Sequence, residues 1–292
     1  MTNTRNNLLS ASALILTAVI WGSTFFISKI CLSNVNAITL ISYRFLLSAA
    51  VTLLIILVWR KNPWQNFRYG LLLGSVLLLS YLGQTIGLSY VTASSSGFIT
   101  GLFVVLVPIL GYVFWREKLS IINLVAILLA LVGLWIINGG IASFTYGDLL
   151  TFGGALAYSF YVLLVDKMIK NDIDPWVLNF QQFLTIGVAA LLLAILLHAP
   201  LTVHSHLSWY IIIYLGLFAG VIAFGFQLGA QRYISPVKVS LILSLEPVSA
   251  AIFAWTIGGE HIELSKALGG MIMIVAIITS QISDFVAEKS GK

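Results

Sequence analysis

The chain has 292 residues, 60% of them hydrophobic and only 9% charged, with mean hydropathy +1.03 and net charge +5. A soluble domain carries roughly 25% charged residues, and no soluble core hides so much apolar surface, so the solvent for this chain is lipid. The basic residues fall between apolar runs rather than in a patch, which orients a membrane protein and excludes nucleic acid as a partner.

The first apolar run follows Arg5 and extends to about Ile27. It is longer than a signal-peptide core of roughly 7–15 residues, and no small-x-small cleavage site closes it. It reads as a first span that is retained. A helix needs about 20 mostly apolar residues to cross a bilayer. By that rule ten spans are predicted: 8–30, 38–59, 68–90, 94–115, 121–138, 147–166, 175–198, 208–230, 236–257 and 266–286. The fifth is short, and no join has room for a soluble domain. The runs lack the alternation of a membrane barrel, so helices are the expected spanning structure. Cys31 is the only cysteine, which excludes an internal disulfide and a cysteine metal cluster.

Basic residues set the orientation. Placing the N-terminus inside puts Arg5, Arg60, Lys61, Arg68, Arg116, Lys118, Lys167, Lys170, Arg232, Lys238, Lys289 and Lys292 on the inner side. Lys29 and Lys266 fall outside, and Arg44 is embedded. This asymmetry places both termini in the cytoplasm.

The chain also resembles itself. Glu117 and Glu260 stand 143 residues apart, and the same offset pairs Gln84 with Gln227, Tyr90 with Tyr233 and Ala93 with Pro236. Offsets of 137 and 138 pair Trp21 with Tyr158 and Arg44 with Gln182. Residues 1–140 and 147–286 read as two copies of a five-helix unit, followed by a cytoplasmic tail, 287–292. Five is odd, so the second copy enters the membrane inverted. The expected fold is an all-α integral membrane protein of ten transmembrane helices, built as two inverted five-helix repeats around a central cavity. Such repeats build secondary transporters with a site near the midplane.

Motifs along the chain carry a family resemblance. The first span holds Ala18-Val-Ile-Trp-Gly-Ser-Thr-Phe-Phe. The fourth holds Tyr90-Val-Thr-Ala-Ser-Ser-Ser-Gly-Phe-Ile-Thr, then Pro108, then Arg116-Glu-Lys-Leu-Ser120. The ninth holds Leu245-Glu-Pro-Val-Ser-Ala, then Gly259-Glu260. In order and spacing the chain resembles the EamA-domain type of the drug/metabolite transporter superfamily over nearly its whole length. The resemblance implies a bacterial inner-membrane carrier, often an exporter of amino acids or other small metabolites. It also implies a cavity lined mainly by spans 1, 3, 4, 6, 8 and 9. The two copies differ where the first has Phe103-Val104 and the second Glu246-Pro247.

Glu246 is the only ionisable side chain between Val239 and Ile257. A charge at that depth needs a partner, a proton or water, so Glu246 is a candidate to bind a substrate ammonium or to carry a proton. Its null role is to tie helices together. Pro247 cannot donate to the carbonyl of Leu243, and Pro108 stands inside the fourth span; both are candidate hinges. Gln84 and Gln227 are neutral amides able to donate and accept, and Tyr81 shares the face of Gln84. Trp21, Tyr158 and Tyr161 offer an aromatic, cation-accepting surface. Arg44 and its repeat partner Gln182 are read as structural or counter-charge residues, since the resemblance places the second span toward the outside of the cavity. Trp64, Trp176 and Trp209 read as interface anchors. Gly216 with Gly220, Gly225 with Gly229, Ser240 with Ser244, and Gly97 with Gly101 read as close helix contacts. Glu117 and Glu260 read as ionic latches at span ends. His198, His204 and His206 lack a committed fourth ligand, so no metal site is expected.

The expected activity is secondary transport of a small metabolite, an amino acid or related compound, by alternating access, with export implied by the resemblance. The alternative is import or exchange of nucleotide-like or cofactor-like compounds, which would want more cations than Arg44. No nucleotide-binding motif, cofactor signature or buried nucleophile–base pair appears, so ATP hydrolysis and an embedded enzyme are disfavoured. A channel would want a continuous polar stripe or charged ring, which is not seen. The expected partners are the small-molecule substrate and the lipid bilayer; a monomer and a homodimer are both compatible.

Overall fold

A computed structural model describes residues 2–116, 120–137, 145–169, 173–257 and 264–289. These form thirteen α-helices and one π-helical stretch, with no strand among them. The helices are α1 Thr2–Leu32, α2 Ala37–Val58, α3 Phe67–Tyr90, α4 Ala93–Gly101, α5 Phe103–Trp115, α6 Ile121–Ile137 and α7 Tyr146–Ile169. They continue with α8 Pro175–Leu196, α9 His206–Tyr214, the π-helical stretch Leu215–Ile222, α10 Ala223–Ala230, α11 Pro236–Leu243, α12 Glu246–Thr256 and α13 Leu264–Lys289. Glu117 and Glu260 lie outside the described residues.

Seven stretches among the described residues are long and apolar enough to cross a bilayer. They are Asn6–Leu32, Ala37–Val58, Phe67–Tyr90, Ser95–Trp115, Tyr146–Ile169, Pro175–Leu196 and His206–Ala230. Ile121–Gly133 and Ala267–Thr279 are shorter apolar helices. The predicted ninth span, 236–257, is divided between α11 and α12. Leu54, Leu79, Tyr112, Ile121 and Leu192 are well exposed, and an apolar belt of this kind needs lipid to cover it. The chain is a multi-pass membrane protein.

Helix boundaries recur at the offsets that the residues show. α2 and α8 each have 22 residues. Asn36 caps α2 by accepting the N–H of Ile38, and Asp174, 138 positions on, caps α8 by accepting from Trp176 and Val177. Both side chains satisfy N–H groups that a helix start leaves without intrahelical partners. α4 begins after Thr92 and α11 after Ser235, which stand 143 residues apart. Each of these helices then breaks. At Leu102 the N–H reaches back three residues to Ile99 (3.2 Å), and at Leu245, again 143 on, it reaches back three to Ile242 (3.1 Å). Such a tightened turn ends a helix and lets another begin.

The prolines do different work at the two breaks. Pro247 sits in the first turn of α12, where a missing N–H costs nothing. Pro108 sits well inside α5, six residues beyond its break. The discontinuity expected near Pro108 is therefore at Leu102, and Gly101, a weak helix former, precedes it.

The most extensive packing pairs α3 with α7, α2 with α8 and α6 with α13. Small residues permit these approaches. A Cβ on Gly83 would meet the N and Cα of Gly154 at 2.7 and 2.9 Å, and one on Gly216 would meet the Arg44 carbonyl oxygen at 3.0 Å. α1 docks on α12 through Gly22, where a Cβ would come within 2.6 Å of the Glu246 carbonyl oxygen and 2.9 Å of the Ala250 N. Of the small pairs expected to mediate contact, Gly229 faces open space and Gly97 meets only the ring of Phe25.

On the predicted inner side, Lys61 pairs with Asp174. Gln181 Nε2 donates to the carbonyls of Pro63 and Gln65 (2.8 Å each), and Arg232 donates to Ile173 (2.6 Å). Burial pushes the Asp174 carboxyl up. The Lys61 ammonium and the N–H groups of Val177 and Trp176 together outweigh that and hold it below its ordinary value of 3.8.

Two outcomes follow. Gly22→Ala lowers stability by about 1–3 kcal/mol, the usual cost of overpacking, whereas Gly153→Ala, inside α7 with nothing within 4 Å, does not lower the melting temperature in detergent. Asp174→Ala lowers stability by about 0.5–2 kcal/mol through the lost cap. A carboxyl held low contributes stability above its unfolded pKa and loses it as pH falls through the folded one, so this difference shrinks in melts run below pH 3.8.

Candidate functional site

Six elements converge on one partly open pocket. Its walls are Trp21 and Thr24 of α1, Arg44 of α2, Ser80, Tyr81 and Gln84 of α3, Thr100 of α4, Tyr158 of α7 and Glu246 of α12. Both broken helices border it next to their breaks: Thr100 comes two residues before Leu102, and Glu246 directly follows Leu245.

The aromatic wall is held by edge contacts and one hydrogen bond. Trp21 meets Tyr158 edge-on (6.0 Å, 79°) and Phe224 at 5.0 Å. Its indole N–H donates to the carbonyl of Ala219 (2.9 Å). Ala219 belongs to the π-helical stretch, as does Gly216, whose O accepts from Ser48 Oγ (2.8 Å); just past the stretch, Ala223 O accepts from Thr17 Oγ1 (3.2 Å). A π-helical turn leaves carbonyls available for tertiary partners, and α1 and α2 supply them. No residue pattern announced this stretch.

The polar wall holds the two embedded charges. Glu246 is 6% exposed and Arg44 5%. Arg44 and Glu246 border the same cavity without forming an ion pair with each other. The Arg44 guanidinium lies over the rings of Tyr81 (4.8 Å) and Phe45 (4.9 Å), and its Nε has no hydrogen-bond partner. Gln84 Nε2 donates to Thr100 Oγ1 (3.2 Å), joining α3 to α4 across the wall.

Of the residues singled out by sequence, Trp21, Tyr81, Gln84, Tyr158 and Glu246 border the cavity, and Arg44 joins them. Tyr161, Gln182 and Gln227 stand behind it. Tyr161 stacks on Tyr158 (5.8 Å) and donates to Gln182 Oε1 (3.0 Å), and Gln182 Nε2 donates to Asn179 Oδ1 (2.6 Å). Gln227 donates to Gln231 (3.2 Å) and its own carbonyl oxygen is unpartnered. The ring of Phe224 packs against Trp21, Tyr81, Tyr161 and Phe183, so the eighth predicted span backs the site with an aromatic plug, and its Gln227 amide approaches the Tyr158 hydroxyl from behind. The second span therefore borders the cavity and the eighth does not, the reverse of the expected lining. Sequence reading missed the hydroxyls Thr24, Ser80 and Thr100, because a buried hydroxyl in an apolar helix more often bonds its own turn, as Thr24 does to Trp21 O (2.7 Å).

Comparison with known proteins gives one answer throughout. The model of the EamA-like transporter family matches residues 8–139 and again 145–280. An uncharacterized transporter of Archaeoglobus fulgidus is 28% identical over 265 residues, covering 91% of this chain and 83% of that protein. The uncharacterized inner membrane transporter YedA of Escherichia coli is 25% identical over 278 residues, covering 89% of this chain and 87% of that protein. A crystal structure superposes with TM-score 0.78 at 17% identity over 94% of this chain and 96% of that one, a likeness of fold. Family and relatives point to transport and not to enzymatic chemistry. The chain belongs to the EamA-like transporter family, within the drug/metabolite transporter superfamily.

Proposed function

We propose that the protein is a secondary carrier of the inner membrane that exports small metabolites, amino acids or related compounds, by alternating access. The observation that carries this reading is the pair of helix breaks 143 residues apart with one cavity between them. Broken helices at a midplane site are how many carriers expose polar groups in lipid without breaching the bilayer. In this reading ten spans form two inverted five-helix repeats, residues 1–140 and 147–286, with both termini cytoplasmic. The double family match, the shared helix boundaries and the packing of α2 on α8 and α6 on α13 support a two-fold arrangement, because a helix on the axis meets its own counterpart. The name of YedA supports the inner membrane.

Alternating access needs one side closed while the other opens, and the breaks at Leu102 and Leu245 are where the halves bend. Glu246 is the group that couples movement to a proton. At its depth an unpaired carboxylate is expensive in lipid, so a proton or a substrate ammonium relieves it in turn.

Two measurements test this. In proteoliposomes with an imposed proton gradient, Glu246→Gln abolishes uphill transport and leaves counterflow intact; undiminished uphill transport would remove Glu246 from coupling. In a Cys31→Ser background, single cysteines replacing Arg116 and Ile257 react with a membrane-impermeant maleimide from opposite faces of the membrane; labelling from the same face would rule out the inversion.

A further inference from the structure

We propose that Arg44 is the receptor for a carboxylate of the transported compound and that Glu246 forms the cation-accepting end of the same cavity, so the site is built for a zwitterion. This rests on the carrier reading above and assigns its substrate recognition.

An embedded arginine in a membrane helix has three ordinary structural uses. It can pair with a carboxylate, snorkel to the interface, or bind the carbonyls at a helix end. Arg44 does none of these. No ion pair joins it to Glu246 or to another described acid. At 5% exposure it does not reach an interface. Lys29 shows what carbonyl capture looks like here: its ammonium donates to Leu88 (2.6 Å), Ser89 (3.3 Å) and Val91 (2.7 Å) at the end of α3. The guanidinium of Arg44 has no such set, and its buried Nε is unpartnered.

Its neighbours are the rings of Tyr81 and Phe45. The Tyr81 hydroxyl also lies against the guanidinium, which leaves the buried Nε edge of its N–H fork without a partner. A fork of this shape matches a carboxylate with two parallel hydrogen bonds. The helix is fixed at this point. Ser48 Oγ lies 2.8 Å from the carbonyls of both Arg44 and Gly216, and Gly216 leaves no room for a Cβ against Arg44. The backbone carrying the guanidinium is thus clamped, and its buried Nε is left for a guest.

The two groups also explain each other. Placed in one cavity and not joined, each carries a desolvation cost when charged; a proton relieves Glu246 alone, whereas a guest with both signs relieves the two together. A compound with one charge leaves the other pole unmatched. Trp21, Tyr81 and Tyr158 line the same cavity, and they suit the apolar part of such a guest.

The test uses the full-length protein in detergent and the twenty standard L-amino acids as probes, followed by isothermal titration of any that raise the melting temperature. For each such amino acid the carboxamide and the N-acetyl derivative are titrated in parallel. At least one amino acid binds the wild type, and its carboxamide binds at least about tenfold more weakly, the loss expected for a charged hydrogen-bonded contact. Arg44→Gln erases the difference between acid and carboxamide, and Arg44→Lys retains part of it. Glu246→Gln erases instead the difference between the free amine and its N-acetyl form. A carboxamide that binds the wild type as well as the acid overturns the assignment of Arg44 without recourse to any variant. A preference for the acid that survives in Arg44→Gln overturns it too, and leaves amino-acid transport standing. If none of the twenty binds, the zwitterion site and the amino-acid substrate fall together, while uptake of other compounds by proteoliposomes would preserve the carrier.

Discussion

Hydrocarbon offers no hydrogen bonds, and this one constraint orders the rest of the protein. Every backbone N–H and C=O must find a partner inside its own helix or against a neighbour. Every charge must be paired, protonated or set against an aqueous cavity. The chain meets the first demand almost everywhere with continuous helices. It departs from it at three places: the breaks at Leu102 and Leu245 and the π-helical stretch Leu215–Ile222. The two breaks border the cavity, and the π stretch holds Trp21 in its wall. Irregular backbone at membrane depth is tolerated only where protein or water can serve it, so irregularity and site coincide for a physical reason.

Close packing makes the site rigid on one side and adjustable on another. Gly22, Gly83, Gly154 and Gly216 bring helix backbones together at distances no side chain allows. Lipid tails are as apolar as leucine, so helices in a membrane gain little from hydrophobic burial and rely on such contact. Glu246 is placed by this means, since α1 lies on its carbonyl through Gly22. The aromatic set plays the opposite part. Phe224, Tyr161 and Phe183 fill the ground behind Tyr81 and Tyr158 through stacked, tilted and edge contacts, so rings and not backbone contacts make up that side of the wall.

The membrane class, the helical content and the extent of most elements were legible in the residues. Composition alone forced lipid, and the apolar runs located α2, α3, α7 and α8 to within a few residues. The internal offsets of 138 and 143 also carried structural meaning, because helix caps such as Asn36 and Asp174 and breaks such as Leu102 and Leu245 are local events written in local sequence. The ninth run read as one span loosened at Pro247, and the helix does break there; that Pro247 falls at a cost-free position in the first turn of α12 depends on where the helix restarts.

Which residues share the cavity was a different kind of question. Trp21, Tyr81, Gln84, Tyr158 and Glu246 were found because polar and aromatic residues stand out in an apolar chain. Arg44 stood out equally and was still set aside, and Gln227 was paired with Gln84 although it does not border the cavity. Chain position reports depth and period, and those are fixed by bond lengths and by the thickness of the bilayer. Which face of a helix meets which neighbour depends on contacts between residues more than a hundred positions apart. Apolar helices match one another so readily that only the packed structure, with its glycines and its aromatic plug, decides among them.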